Sequence, residues 1–140
     1  MKSPVIIFNN PGYTPFQRKL VSLAFDRIHN CPDNNKAKII SFLTKGKTIV
    51  SWGFNDEFKT DPKASAYVDF KIHAEFMAVM RMRHYIESYA GMSIYNVRIS
   101  RHNQVLNSKP CHRCLGELLL RDIRKIYYTN EFGLFQKLDL

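Results

Sequence analysis

The sequence predicts an α/β fold: a three-layer α/β/α sandwich around a mixed sheet of about five strands, formed by one domain spanning residues 1–140. Three observations carry this expectation. Apolar residues at helical spacing alternate along the chain with short runs rich in β-branched and aromatic residues. A 45% apolar content in 140 residues suffices for a single core. No internal repeat, low-complexity tract or linker-like stretch divides the chain.

Residues 3–10 hold Val5, Ile6, Ile7 and Phe8, a short strand or an apolar arm. Thr14 and Pro15 open the first helix, with Thr14 as cap, Pro15 at the first helical position and Gln17 completing a capping box. Phe16, Leu20, Leu23, Ala24 and Ile28 form its apolar stripe, opposite Arg18, Lys19, Ser22 and Asp26. Residues 31–35 break the pattern, and 37–43 and 48–52 read as a hairpin joined by Lys45-Gly46-Lys47. Residues 53–67 read as a long loop. Helical periodicity resumes over 72–90, with Phe76, Val79, Met80 and Ile86 inward. A strand over 92–100 follows, with Tyr95, Val97 and Ile99 on one side, and then a polar loop over 101–109. A helix over 111–122 places Cys111, Cys114, Leu115, Leu118 and Leu119 on one stripe. Residues 123–129 form a strand, 131–133 a turn and 134–140 a last strand.

No apolar run is long enough to cross a bilayer, and residues 1–8 have too short an apolar core for a signal peptide, so the expected location is cytoplasmic with no membrane partner. Three cysteines cannot all pair within one chain, which suits a reducing compartment. The balance of 21 basic against 12 acidic residues, net +9, attracts polyanions and suggests a nucleotide or nucleic acid partner, although solubility alone also selects basic surfaces. Arg81, Arg83 and His84, with Arg98, Arg101, Lys109 and Arg113, offer a phosphate track; the plainer reading is a set of solvated charges. His29, His84, His102 and His112 read as surface or packing histidines.

The chemistry concentrates in Ser108-Lys109-Pro110-Cys111-His112-Arg113-Cys114 and, upstream, His73-Ala74-Glu75. Thiols three residues apart share one side of a helix, so Cys111 and Cys114 can hold a metal ion at its first turn, while Cys31 is a spare thiol. A site kept open for chemistry needs one further protein ligand, and His73 supplies it. Glu75 then serves as general acid and base. A Cys-x-x-Cys pair alone is as consistent with structural zinc or redox chemistry, but structural zinc commonly has four protein ligands and no carboxylate beside it. The reading sets one geometric condition. Residues i and i+2 diverge on a regular helix, so His73 and Glu75 can share a metal only if His73 is the cap.

The order His-x-Glu, then Pro-Cys-x-x-Cys, resembles the cytidine deaminase superfamily of zinc-dependent nucleobase deaminases. The resemblance covers most of the chain, and as a pair the motifs are specific. It implies zinc on His73, Cys111 and Cys114, with Glu75 as proton shuttle. It further implies Asn55 at a sugar hydroxyl and the Ala74 amide at the base carbonyl. Trp52, Phe54, Phe70 and Tyr128 are the aromatic residues placed to stack on a base, Phe54 and Tyr128 foremost, or to fill the core. His as first ligand resembles the deoxycytidylate, transfer-RNA adenosine and polynucleotide cytosine deaminases, whereas the terminal hairpin around Glu131-Phe132-Gly133 is similar to that of free cytidine deaminases and several toxin deaminases. The run Asn107–Cys111 resembles small uncharacterised deaminase-like proteins, viral ones among them, which adds an infected host cell to the expected locations. The implied reaction converts cytosine to uracil in a nucleotide or single-stranded nucleic acid, releasing ammonia. Adenine deamination on RNA is the alternative, as is a non-catalytic protein of the same fold that binds nucleic acid or a protein. The resemblance allows a homo-oligomer without requiring one.

Overall fold

The structure, a computed structural model, describes residues 12–28, 38–60, 71–100 and 102–140. The expected arm at 3–10, the C-P-D-N-N break with Cys31, and His29, Phe70 and Arg101 lie outside the described residues. Helix α1 (Pro15–Ile28) begins as its sequence dictates. The Thr14 amide donates to Gln17 Oε1 (3.0 Å) and the Gln17 amide to Thr14 Oγ1 (3.1 Å), a reciprocal capping box. Strands β1 (Lys38–Lys45) and β2 (Thr48–Phe54) form the predicted hairpin, in which Phe42 faces Trp52 across the pair.

Residues 53–67 were expected to be loop, and here the structure differs. β2 runs on to Phe54, and β3 (Asp56–Thr60) pairs antiparallel with β4 (Lys71–Ile72) in a separate two-stranded sheet; the remainder of that stretch lies outside the described residues. A segment with one apolar residue, Phe58, among Asp56, Glu57, Lys59 and Thr60 gives no period-2 signal of its own.

Helix α2 (Ala74–Met80) is shorter than the 72–90 predicted from periodicity. Its last carbonyls are already occupied: Val79 O accepts from the Met82 amide (3.1 Å) and the Tyr89 hydroxyl (2.7 Å), and Met80 O from the Arg83 amide (3.3 Å) and guanidinium (2.7 Å). Beyond α2 the chain continues in turns, with Met82, Ile86 and Tyr89 packed against the core and Tyr85 79% exposed, so periodicity alone does not sustain the helix.

Strand β5 (Met92–Ile99) lies beside β1 antiparallel and carries a short partner, β6 (Val105–Leu106), within the expected polar loop. Helix α3 (His112–Leu120) then crosses to β7 (Lys125–Thr129), parallel to β5, and β8 (Phe135–Lys137) closes the chain antiparallel to β7. Asn130 forms the last turn, accepting through Oδ1 from the Phe132 (2.9 Å) and Leu134 (3.1 Å) amides, with Gly133 at φ 76°.

The six-stranded mixed sheet has the order β2-β1-β5-β7-β8, with β6 paired to β5 off this path. Side chains alternate across it. Ile40, Phe42, Val97 and Ile99 pack with Tyr13, Leu20, Val21 and Ala24 on the α1 side. Leu43, Ile94 and Ile126 pack on the other with Ala78 and Val79 of α2 and Leu118 of α3. Three layers result, as predicted, because the central strands are apolar on both faces. No helix among the described residues is long and apolar enough to cross a membrane.

Candidate active site

Strand direction decides where the motifs meet. β2 and β5 are each antiparallel to β1, and β7 is parallel to β5, so β2, β5 and β7 all run the same way. α2 follows β2 in the chain and α3 follows β5, on the same face of the sheet, so both helices begin beyond the carboxyl ends of these strands.

His73 is the N-cap of α2, in extended conformation (φ −89°, ψ 155°), which meets the geometric condition set by the sequence. Cys111 is likewise the N-cap of α3 (φ −72°, ψ 166°), its sulfur accepting from the Cys114 amide at 3.5 Å. His73 Nδ1 lies 3.1 Å from Cys114 Sγ and 3.6 Å from Cys111 Sγ, and all three donor atoms fall within 4.8 Å of one another. Both thiols are free. Tetrahedral coordination with Zn–S near 2.3 Å and Zn–N near 2.0 Å would separate nitrogen from sulfur by roughly 3.5 Å. This donor set therefore fits a zinc ion with little rearrangement.

Cys111 is exposed, His73 half-buried and Cys114 buried, so the cluster opens to solvent on the Cys111 side. Hydrogen bonds from Cys114 and then His73 hold the Cys111 thiol down at about 4. Cys114 moves the other way, pushed up by sharing its hydrogen bond with Cys111 and by burial. Glu75, 4% exposed, is raised above the usual carboxylate range, first by desolvation and against a hydrogen bond from Cys114.

Beneath Glu75 lies a polar cluster that the sequence reading missed. Ser41 Oγ sits 3.3 Å from Glu75 Oε1 and 2.6 Å from Asn96 Oδ1. Asn96 Nδ2 donates to Ser108 O (3.1 Å), the Ser108 hydroxyl to Asn96 O (2.8 Å), and Ser108 and Thr129 share a hydroxyl contact of 2.8 Å. Ser41, Asn96 and Thr129 are fully buried. The signal was there: Ser41 interrupts Ile39-Ile40 and Phe42-Leu43, and Asn96 interrupts Ile94 and Val97, at core-facing positions where a polar group needs partners.

The other residues singled out from the sequence stand as follows. Asn55 ends β2: its Oδ1 accepts from the Ile39 amide (2.9 Å) and its own amide donates to Ile39 O (3.3 Å). Ala74 is buried, its carbonyl pressed against Gly53 of β2, where an added Cβ would come within 2.5 Å. Phe54 is half-buried beside Trp52, and the guanidinium groups of Arg27 and Arg81 lie over the Trp52 ring at 4.8 Å and 4.6 Å from its centroid. Tyr128, 7% exposed, is on the same face of the sheet as α2 and α3 but packs as core with Leu118 and Ile126. Arg81 and Arg83 of the expected track donate to the Trp52 (2.8 Å) and Met80 (2.7 Å) carbonyls. His84, His102 and His112 are exposed.

No protein-family model matches the chain, and no curated protein matches its sequence. Solved structures do match. The dCMP deaminase of the cyanophage S-TIM5 superposes in its apo form with a TM-score of 0.55 at 21% identity, covering 85% of this chain and 86% of that one. Its complex with dCMP and dUMP gives 0.57 at 20% identity and 85% coverage of both. A cytidine deaminase from Burkholderia pseudomallei gives 0.61 at 16% identity, covering 91% of this chain and 93% of that one. Sheet order, helix placement and these superpositions agree, and the chain has the cytidine deaminase fold.

Proposed function

We propose that the protein is a zinc-dependent hydrolytic deaminase of a cytosine nucleotide. One observation carries the reading: a buried carboxyl, Glu75, stands beside a His/Cys/Cys donor triad at the solvent-facing start of two helices. His73, Cys111 and Cys114 would hold the ion, and three protein ligands leave a coordination position for chemistry. When bound, zinc supplies a Lewis acid that makes hydroxide available near neutral pH.

Glu75 withdraws one proton from the attacking water and gives it to the ring nitrogen, then carries the second, from the new hydroxyl, to the departing amine. The C–N bond breaks, the ring carbon gains its carbonyl and ammonia leaves. Burial suits Glu75 to this duty because desolvation favours its proton-carrying form. The Ala74 amide, in the first turn of α2, would meet the base carbonyl. Asn55, fixed to β1 through its Oδ1, would present its amide nitrogen to the sugar, and Phe54 flanks it. The resemblance of fold to a dCMP deaminase crystallised with dCMP and dUMP supports a nucleotide over a free base.

Ammonia release from dCMP, CMP, cytidine, AMP and single-stranded oligonucleotides, by zinc-loaded wild type and Glu75→Ala, tests the reading. Wild type releases ammonia from a cytosine nucleotide, and Glu75→Ala loses roughly 10²–10⁴-fold while keeping its zinc. Equal release by the two proteins refutes the shuttle. Release from AMP, or hypoxanthine rather than uracil appearing in an oligonucleotide, makes adenine the base, and zinc content without release on any substrate makes this a binding protein.

A further inference from the structure

We infer that Ser41 and Asn96 are positioning residues that fix the Glu75 carboxyl relative to the Cys111-bearing loop. The inference rests on the role proposed for Glu75 and extends it to residues on the sheet. Glu75 enters from α2, whereas Cys111 and Cys114 enter from α3, and proton transfer fails unless these two supports keep a constant spacing. Between them runs a continuous buried path. Ser41 of β1 meets Glu75 Oε1 at 3.3 Å and Asn96 Oδ1 of β5 at 2.6 Å. Asn96 then bonds both ways with Ser108, through Nδ2 to its carbonyl (3.1 Å) and through its own carbonyl from the Ser108 hydroxyl (2.8 Å). Ser108 is tied in turn to β7 by Thr129, whose amide donates to Ser108 Oγ (2.8 Å) and whose carbonyl accepts from the Ser108 amide (2.8 Å). Three residues after Ser108 comes Cys111.

The chemistry of each member suits the task. The Ser108 carbonyl fixes the Asn96 amide, because a flipped amide would set oxygen against oxygen; Oδ1 is thereby directed at Ser41. The Ser41 hydroxyl has one proton, which goes to Asn96 Oδ1 at the shorter distance, so its oxygen faces Glu75 as an acceptor and holds the carboxyl when that group carries its proton. A plain packing role would need neither property. An apolar residue at position 41 would fill the same space on the α2 side of the sheet, next to Leu43.

Crystal structures and kinetics of zinc-loaded Ser41→Ala and of the near-isosteric Ser41→Cys test this. The Glu75 carboxyl is expected to leave its wild-type position by about 1 Å or more in both, while zinc per chain stays unchanged. The kcat on the best cytosine nucleotide is expected to fall roughly 10-fold with KM within twofold. Ser41→Thr, which keeps the hydroxyl, is expected to restore most of the rate. A Glu75 carboxyl superposing on wild type in both structures overturns the inference, as does an equal fall in kcat for Ser41→Thr. If wild type deaminates nothing, the proposed activity fails, and the carboxyl position in the two structures still decides whether Ser41 holds it.

Discussion

Replacing Gly53 by alanine isolates the contact on which the site's geometry depends. A Cβ at this position would sit 2.5 Å from Ala74 O, 2.5 Å from Ala78 N and 2.8 Å from Met77 Cβ. Ordinary contact begins at 3.4 Å, so β2 and α2 must part by about 0.9 Å at two backbone atoms, which no side-chain rotation can relieve. Overpacking of this kind costs about 1–3 kcal/mol, or roughly 3–12 °C in Tm for a domain of this size. Ala74 lies between His73 and Glu75, so the same displacement moves the proposed metal ligand and the proposed proton carrier together. A misplacement near 1 Å can cost about 10²-fold in rate. The control is Gly116→Ala: it lies in α3 with nothing within 4 Å of an added Cβ, and the exchange should stabilise by about 0.5–1 kcal/mol. Calorimetry, zinc content and ammonia release on both variants give the comparison. A Gly53→Ala protein that melts within a degree of wild type and turns over at the wild-type rate would refute the close-approach argument.

Cys111→Ser and Cys114→Ser should each reduce zinc from one per chain to well below it by elemental analysis; a variant still holding one zinc contradicts the ligand set. Salt separates nucleotide from polymer. KM for dCMP should change only severalfold between 50 and 200 mM salt, whereas a loss nearing 10³-fold on an oligonucleotide would mark a phosphate track of six or more contacts. The Tyr13 hydroxyl, bonded to the Gly133 carbonyl and desolvated, is pushed up to about 12. The folded state thus keeps this proton longer than the unfolded one, and stability present below pH 10 is lost as pH rises towards 12, by up to about 1.4 kcal/mol per pH unit. Tyr13→Phe should flatten that slope in urea titrations, and an unchanged slope would exclude Tyr13 as its source.

How much of this was legible beforehand depends on whether the signal was local. The α1 cap, the β1–β2 hairpin and the stripe of α3 were readable because each is encoded within a few residues. The donor triad was readable because motif spacing survives any error in the elements around it. The premature end of α2 was not, since it comes from Tyr89 and Arg83 reaching back to the Val79 and Met80 carbonyls, a tertiary effect overriding periodicity. Nor was the β3–β4 pair, whose partners are too polar to show a face. Gly53 and the Ser41–Asn96 cluster are instructive in the other direction: a glycine inside a strand and polar residues at inward positions do mark close approach and buried networks. Tyr128 shows the opposite hazard, because an aromatic residue at a strand end has no sequence feature that separates a stacking surface from core.

His73 and Cys111 are 38 positions apart, with β5 and β6 between them. An ion held by both is therefore a cross-link as much as a reagent. By analogy with a disulfide closing a loop of that size, such a tie is worth about 4 kcal/mol in lost freedom of the unfolded chain. If the proposed ion is bound, chelation should then loosen the middle strand of the sheet and lower the melting temperature, as well as silence the chemistry.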